Sequence, residues 1–102
     1  GTPGGSTIPT NVFQTVTNII DFHLTPEAAV NNPRFHFQWM PDEVFVEEGF
    51  PNNNLESLIK TGYTIKKRGA MGRTELIVID ESKPMKITAI ADKRGDDEAA
   101  GY

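Results

Sequence analysis

GTPGGSTIPTNVFQTVTNIIDF, from Gly1 to Phe22, joins a glycine turn to an amphipathic run, and its reading decides the fold. Ile8, Val12, Phe13, Val16, Ile19 and Ile20 recur at intervals of three and four, with Asn11, Gln14, Thr15 and Asn18 between them. That spacing lays one apolar stripe along a helix. Pro9 falls in the first turn, where its missing N–H removes no bond, and Ser6 or Thr7 is placed to cap it. The β-branched residues make the helix weak by propensity, so it depends on packing against a sheet or a partner. Ahead of it, Pro3-Gly4-Gly5 exposes consecutive backbone N–H groups with little side-chain bulk over them. Such a turn is either plain punctuation or a small nest for an anion or oxyanion. No Gly-Lys-Ser/Thr follows, so it is not a nucleotide phosphate loop.

Downstream, Thr25-Pro26-Glu27 reads as a cap, a first-turn proline and a carboxylate at the positive helix end. The helix they open is short, because Pro33 stops it soon after Val30. Phe35 to Met40 alternates large aromatics with His36 and Gln38, and Glu43 to Glu47 alternates again beyond the Pro41-Asp42 turn, so both read as strands. Asn53 with Glu56 has the form of a capping box for a helix carrying Leu55, Leu58 and Ile59, closed by Gly62 with Lys60 in its last turn. Tyr63 to Lys67 is a short strand, and Met71, inside the Gly69–Gly72 turn, is placed to pack down as a plug. Thr74–Ile79 and Met85–Ile90 form an antiparallel hairpin across a short polar connection. The fold class is α+β, with helices covering one face of a mostly antiparallel sheet. Residues 1–102 form a single segment without repeat or dividing linker, and the charged tail from Asp92 to Tyr102 reads as a solvated, mobile end.

At 102 residues the chain has room for one modest core, burying roughly 60–65% of its extended surface. The absence of cysteine excludes disulfides, thiolate metal sites and cysteine nucleophiles together. A net charge of -4, with Lys66 to Arg68 as the one basic cluster, argues against nucleic acid as a partner. No apolar run approaches the ~20 residues of a membrane helix. The first residues carry no signal-peptide pattern, and a start at glycine in a loop-to-helix junction points to an excised or incomplete segment. Thr2, Ser6 and Thr7 have no neighbouring base and read as turn and cap residues. His23 and His36 lack a second ligand at metal spacing and read as structural, so no metal is expected. Asp42, Glu43, Glu47 and Glu48 read as a solvated strand edge rather than a cation site. Arg34, just past a helix-ending proline, is placed to fork onto a carboxylate or helix-terminal carbonyls and fix the turn. Trp39, the neighbouring phenylalanines, Tyr63 and Tyr102 read as core packing rather than a ligand face.

In order along the chain, several blocks resemble the last part of the small subunit of gamma-glutamyltransferases (gamma-glutamyltranspeptidases), which are N-terminal-nucleophile hydrolases. They are Gly1-Thr2-Pro3-Gly4-Gly5-Ser6, the helix end Ile19-Ile20-Asp21-Phe22, and Ala28 to Glu43 with its Pro33-Arg34-Phe35-His36-Phe37-Gln38-Trp39-Met40-Pro41-Asp42 core. Met71-Gly72-Arg73-Thr74-Glu75, Ala91-Asp92-Lys93-Arg94 and Ala100-Gly101-Tyr102 complete them. The resemblance implies part of a four-layer αββα sandwich. It also implies an enzyme whose precursor cleaves itself to expose a threonine, which attacks the gamma-glutamyl amide of glutathione or a related compound with its own amine as base. The acyl group then passes to water or to an amino-acid or peptide acceptor. By the same resemblance Gly4 and Gly5 supply the backbone N–H groups of the oxyanion hole, without cofactor or metal.

That threonine and the groups that hold the substrate's amino and carboxylate ends lie upstream in the family. Thr2 matches the residue before Pro-Gly-Gly, not the nucleophile, and the segment alone is expected to be inactive. Its expected partners are the upstream part of the small subunit and the large subunit of the same precursor. Missing layers would leave apolar faces open, to be covered by homo-oligomer or domain-swapped packing if the segment stood alone. A non-catalytic scaffold or interaction module derived from the fold is the alternative. Periplasmic or extracellular location is implied by the resemblance.

Overall fold

The structure, a computed structural model, describes residues 1–101. A single 3-10 turn, Gly5–Thr7, runs into helix α1, Ile8–Ile20. Pro9 lies in its first turn as expected, but the residue at the cap position, Thr7, makes no side-chain capping bond. Its hydroxyl reaches back instead and donates to the Gly4 carbonyl at 2.9 Å.

The two faces of α1 are the reverse of an ordinary surface helix. Asn11, Gln14 and Thr15 are buried, while Phe13 and Ile20 are 60% and 64% exposed. The reason lies in how the helix docks. Gln14 donates through Nε2 to the Phe35 carbonyl at 2.7 Å, and the Phe35 N–H donates to Gln14 Oε1 at 3.0 Å. The side-chain amide thus pairs with a strand edge as another strand would. Thr10 Oγ1 adds a 2.7 Å bond to His36 Nδ1. The helix is therefore fastened to the sheet by its polar side, and its apolar stripe faces outward.

Helix α2, Pro26–Asn31, forms as its sequence predicts, with Thr25 Oγ1 accepting from the Ala28 N–H at 3.2 Å. Thr25→Ala is expected to lower the stability of the protein by about 1 kcal/mol in chemical denaturation, with Thr25→Ser recovering most of it. An unchanged midpoint in Thr25→Ala would count against this cap. Strand β1 is only Phe35–His36, shorter than the alternation predicts. Trp39 takes a positive φ of 72° and ends any extended run, and the residue is 74% exposed. The aromatics are thus not core: Phe35 and Phe37 are also partly exposed, and it is His36, between them, that is buried.

Strand β2, Val44–Val46, keeps the expected pattern, with both valines buried and Phe45 half-buried. It pairs antiparallel with β1 through Phe35↔Val46 and His36↔Phe45. Helix α3, Asn52–Thr61, then crosses over to strand β3, Ile65–Lys67, which consequently runs parallel to β2. The helix starts one residue before Asn53, with Pro51 at its cap and no side-chain capping bond, so the capping box does not form. Gly62 closes it in the left-handed region as expected. Strands β4, Leu76–Asp80, and β5, Lys86–Ile90, form the expected antiparallel hairpin, which is a separate two-stranded sheet.

Cross-strand partners share a face, so Ile77, Ile79, Ile87 and Ala89 lie together. That face is open, with the three isoleucines 58–67% exposed. Helices on a mostly antiparallel sheet is the fold class read from the sequence, with β2 and β3 as the parallel exception. Its buried apolar residues are few: Ala29, Val30, Val44, Val46 and Met71. Polar side chains do much of the internal joining.

Candidate functional site

Gly4 and Gly5 both take positive φ, 135° and 58°. The Gly4 carbonyl accepts from the N–H and hydroxyl of Thr7, at 3.1 and 2.9 Å, which closes the turn. The N–H groups of Gly4 and Gly5 have no protein partner among the described residues, and both residues are exposed. Two neighbouring free donors at a helix start are chemically suited to an anionic oxygen.

The turn rests on a distant stretch of chain. Gly1 and Glu75 exchange two bonds, the Gly1 nitrogen donating to the Glu75 carbonyl at 3.0 Å and the Glu75 N–H to the Gly1 carbonyl at 2.8 Å. The Arg73 N–H donates to Thr2 Oγ1 at 2.9 Å. Thr2 is thus a turn residue, as its sequence context predicts. Met71 is the plug expected, 2% exposed, and both sides of it are gripped. Its N–H donates to Glu47 Oε1 at 2.7 Å, and its carbonyl accepts from Arg34 at 2.7 Å and Asn11 Nδ2 at 3.3 Å.

Behind Met71 lies a buried four-membered ion network. Arg34 pairs with Asp92 at 2.8 Å and donates to the Val30 carbonyl at 2.8 Å, so it forks onto a carboxylate and a helix-terminal carbonyl together. Arg94 joins Asp92 Oδ1 at 2.9 Å, Glu47 through both its carboxylate oxygens, and the carbonyls of Val30 and Asn32. Two expectations are corrected here. Glu47 is not a solvated edge but buried, and Asp92 and Arg94 do not belong to a free tail. Their partners come from stretches far apart in sequence, and no local periodicity marks them. The block Ala91-Asp92-Lys93-Arg94, part of the resemblance, is the one signal they leave.

Burial pushes the carboxyls of Glu47 and Asp92 upward, but the bonds they accept outweigh it and both lie below the usual carboxylate range. For Glu47 those bonds come from Arg94 and the N–H groups of Met71 and Arg34; for Asp92, from the N–H groups of Thr74 and Arg94 and from the Arg94 side chain, with the Arg34 charge assisting. Burial also lowers Arg34, with the neighbouring Arg94 charge adding to it, whereas the two carboxylates lift Arg94 against its own burial. Groups depressed in the folded state stabilise it fully above their unfolded pKa and lose that contribution as pH falls through the folded values. The thermal midpoint is therefore expected to be flat above roughly pH 5 and to fall below about pH 4. Glu47→Gln should flatten that acid slope while lowering the neutral-pH midpoint. An unchanged slope would remove Glu47 from the account.

The other candidate residues lie apart from this centre. His36 is structural as expected: Gln38 Nε2 donates to the Met40 carbonyl at 2.8 Å, which leaves Gln38 Oε1 to accept from His36 Nε2 at 2.8 Å. Nδ1 then accepts from Thr10. His23, Ser6 and Asp42 are exposed, and Glu43 and Glu48 make only long surface pairs to Lys66 and Lys67, at 3.9 and 3.7 Å. Tyr63 packs edge-on to Phe37, with ring centres 6.0 Å apart. Tyr102 lies outside the described residues. Among the described residues no group of three or more His, Asp or Glu could hold a metal ion, and no helix is long and apolar enough to cross a membrane.

The fold is that of a partial N-terminal-nucleophile hydrolase sandwich. The chain belongs to the gamma-glutamyltranspeptidase family, whose sequence profile matches residues 1–102. It is 43% identical over 103 residues to the glutathione hydrolase proenzyme of Escherichia coli K12, an alignment covering 100% of this chain and 17% of that protein. A threonine-to-alanine mutant of Helicobacter pylori gamma-glutamyltranspeptidase superposes with a TM-score of 0.87 at 38% identity, covering 93% of this chain and 52% of that one. The gamma-glutamyltranspeptidase of Pseudomonas nitroreducens complexed with L-DON gives 0.88 at 33% identity, covering 100% and 53%. The chain thus spans about half of the solved chains it matches and about a sixth of the proenzyme.

Proposed function

We propose that this chain is the C-terminal, oxyanion-hole-bearing part of a gamma-glutamyltransferase small subunit. The enzyme it serves cleaves gamma-glutamyl amides such as glutathione and passes the acyl group to water, an amino acid or a peptide. The observation that carries the proposal is the Gly4–Gly5 turn: two donors without protein partners, closed by Thr7 and set on the Met71–Glu75 segment. In the reaction the nucleophilic threonine comes from the segment upstream in the family, with its own α-amine as base. As it attacks the amide carbonyl, the oxygen gains negative charge, and the N–H groups of Gly4 and Gly5 donate to it. A preorganised donor of this kind contributes roughly 3 kcal/mol to the transition state. The chain alone lacks the nucleophile and is inactive in this reading.

The open stripe of α1 and the outer face of the β4–β5 hairpin support packing against the remaining layers, supplied by the upstream part of the small subunit and by the large subunit of one precursor. Those same faces also suit the second reading, a non-catalytic scaffold. Export to the periplasm or beyond the cell accompanies the enzyme reading. The test is the full-length protein assayed with gamma-glutamyl-p-nitroanilide beside the segment alone. Self-cleavage ahead of a threonine and p-nitroaniline release by the full-length protein only is the expected result. A folded full-length protein that neither cleaves itself nor releases p-nitroaniline would leave the scaffold.

A further inference from the structure

The turn that bears Gly4 and Gly5 is held from outside. We propose that Thr2 and Gly72 are positioning residues for the two donors, and that Met71–Glu75 is the template on which the turn is laid; this rests on the oxyanion role proposed above. The template starts from a fixed point, because Glu47 holds the Met71 N–H while Arg34 and Asn11 hold its carbonyl. Gly72 follows with a φ of 73°, a conformation that strains any residue with a side chain. There is no room for one either, since a Cβ would collide with Asn11 Nδ2 and Thr2 Oγ1. The missing side chain lets the template backbone lie directly against Thr2. The Gly72 Cα stands 3.9 Å from where a Gly4 Cβ would be, so the template also underlies the first donor residue.

Thr2 is the link between the two stretches. Its hydroxyl accepts from the Arg73 N–H at 2.9 Å and donates to the Pro3 carbonyl at 3.1 Å, in the residue just before Gly4. With the Gly1–Glu75 pair, every residue from Gly1 to Pro3 is bonded to the template or to a residue that is. Donors to an oxyanion act only when aimed within a fraction of an ångström, so loosening this link misplaces them while leaving substrate contacts elsewhere intact.

The experiment uses the full-length protein as wild type, Thr2→Val, Thr2→Ser and Gly72→Ala. Two quantities are read: kcat and KM on gamma-glutamyl-p-nitroanilide after maturation, and hydrogen–deuterium exchange of the peptide spanning residues 1–7. Thr2→Val is expected to lower kcat about 10-fold with KM within about twofold, and to raise exchange in that peptide. Thr2→Ser, which keeps the hydroxyl, restores both. Gly72→Ala moves both in the same direction and further, about 100-fold in kcat. Thr2→Val with wild-type exchange and wild-type kcat overturns the proposal. A wild-type protein that releases no p-nitroaniline overturns the enzyme reading instead, and exchange alone then decides whether Thr2 holds the turn.

Discussion

Gly4→Ala in the full-length protein is expected, on the oxyanion role proposed for the turn, to lower kcat about 100-fold while KM changes little, because such donors would act on the transition state rather than on bound substrate. The effect arises from two constraints at once. The φ of 135° disfavours any side chain, and an added Cβ would run into Thr7 Oγ1. Thr7 cannot turn away freely, being 2% exposed and bonded to the Gly4 carbonyl. The turn must therefore open, and both donors move. Gly5→Ala is a useful contrast: nothing lies within 4 Å of its Cβ, so only the left-handed backbone resists, at about 1–2 kcal/mol. A loss of about 10-fold or less is expected there. Steady-state kinetics on matured protein separates the two, and a Gly4→Ala enzyme with wild-type kcat would sink the oxyanion assignment.

Arg34→Leu is expected to destabilise the protein by about 3–5 kcal/mol. The guanidinium is 3% exposed and satisfies Asp92 and the carbonyls of Met71 and Val30 together. Leucine fills part of the space but leaves a buried carboxylate short of one partner and Met71 held at its carbonyl by Asn11 alone. Arg94 remains on Asp92, which limits the loss. The double change Arg34→Leu with Asp92→Leu should cost less than the sum of the single changes, since the residues are in contact. Denaturant midpoints of the four proteins test this. Additive losses would mean that the pair is not coupled.

What the sequence makes legible is what local chemistry dictates. The Thr25-Pro26 cap, the left-handed end at Gly62, the buried valines of β2 and the β4–β5 hairpin each follow from signals within a few residues. Arg34 is placed correctly because a proline-ended helix leaves carbonyls within its reach. The orientation of α1 is not legible, because a helical stripe tells which residues avoid water in the finished protein, not which layer covers them. Asn11 and Gln14 look like the solvent side until Met71 and Phe35 supply their partners. Glu47, Asp92 and Arg94 are hidden for the same reason. Each is a charged residue beside other charged residues, and only the long-range closure of the chain takes them out of water. For the glycine turn the pattern shows a bend, whereas its support at Arg73 and Glu75 comes from the other end of the segment.

The network behind Met71 also sets a schedule. Glu47 and Arg94 are 47 residues apart, so at a synthesis rate of about 5–20 residues per second the glutamate waits roughly 2–10 s for its partner to be made. Until then the carboxylate that holds the Met71 N–H lacks its Arg94 partner. The glycine turn thus rests, through the Met71–Glu75 segment, on a clamp that is completed only when Arg94 has been made.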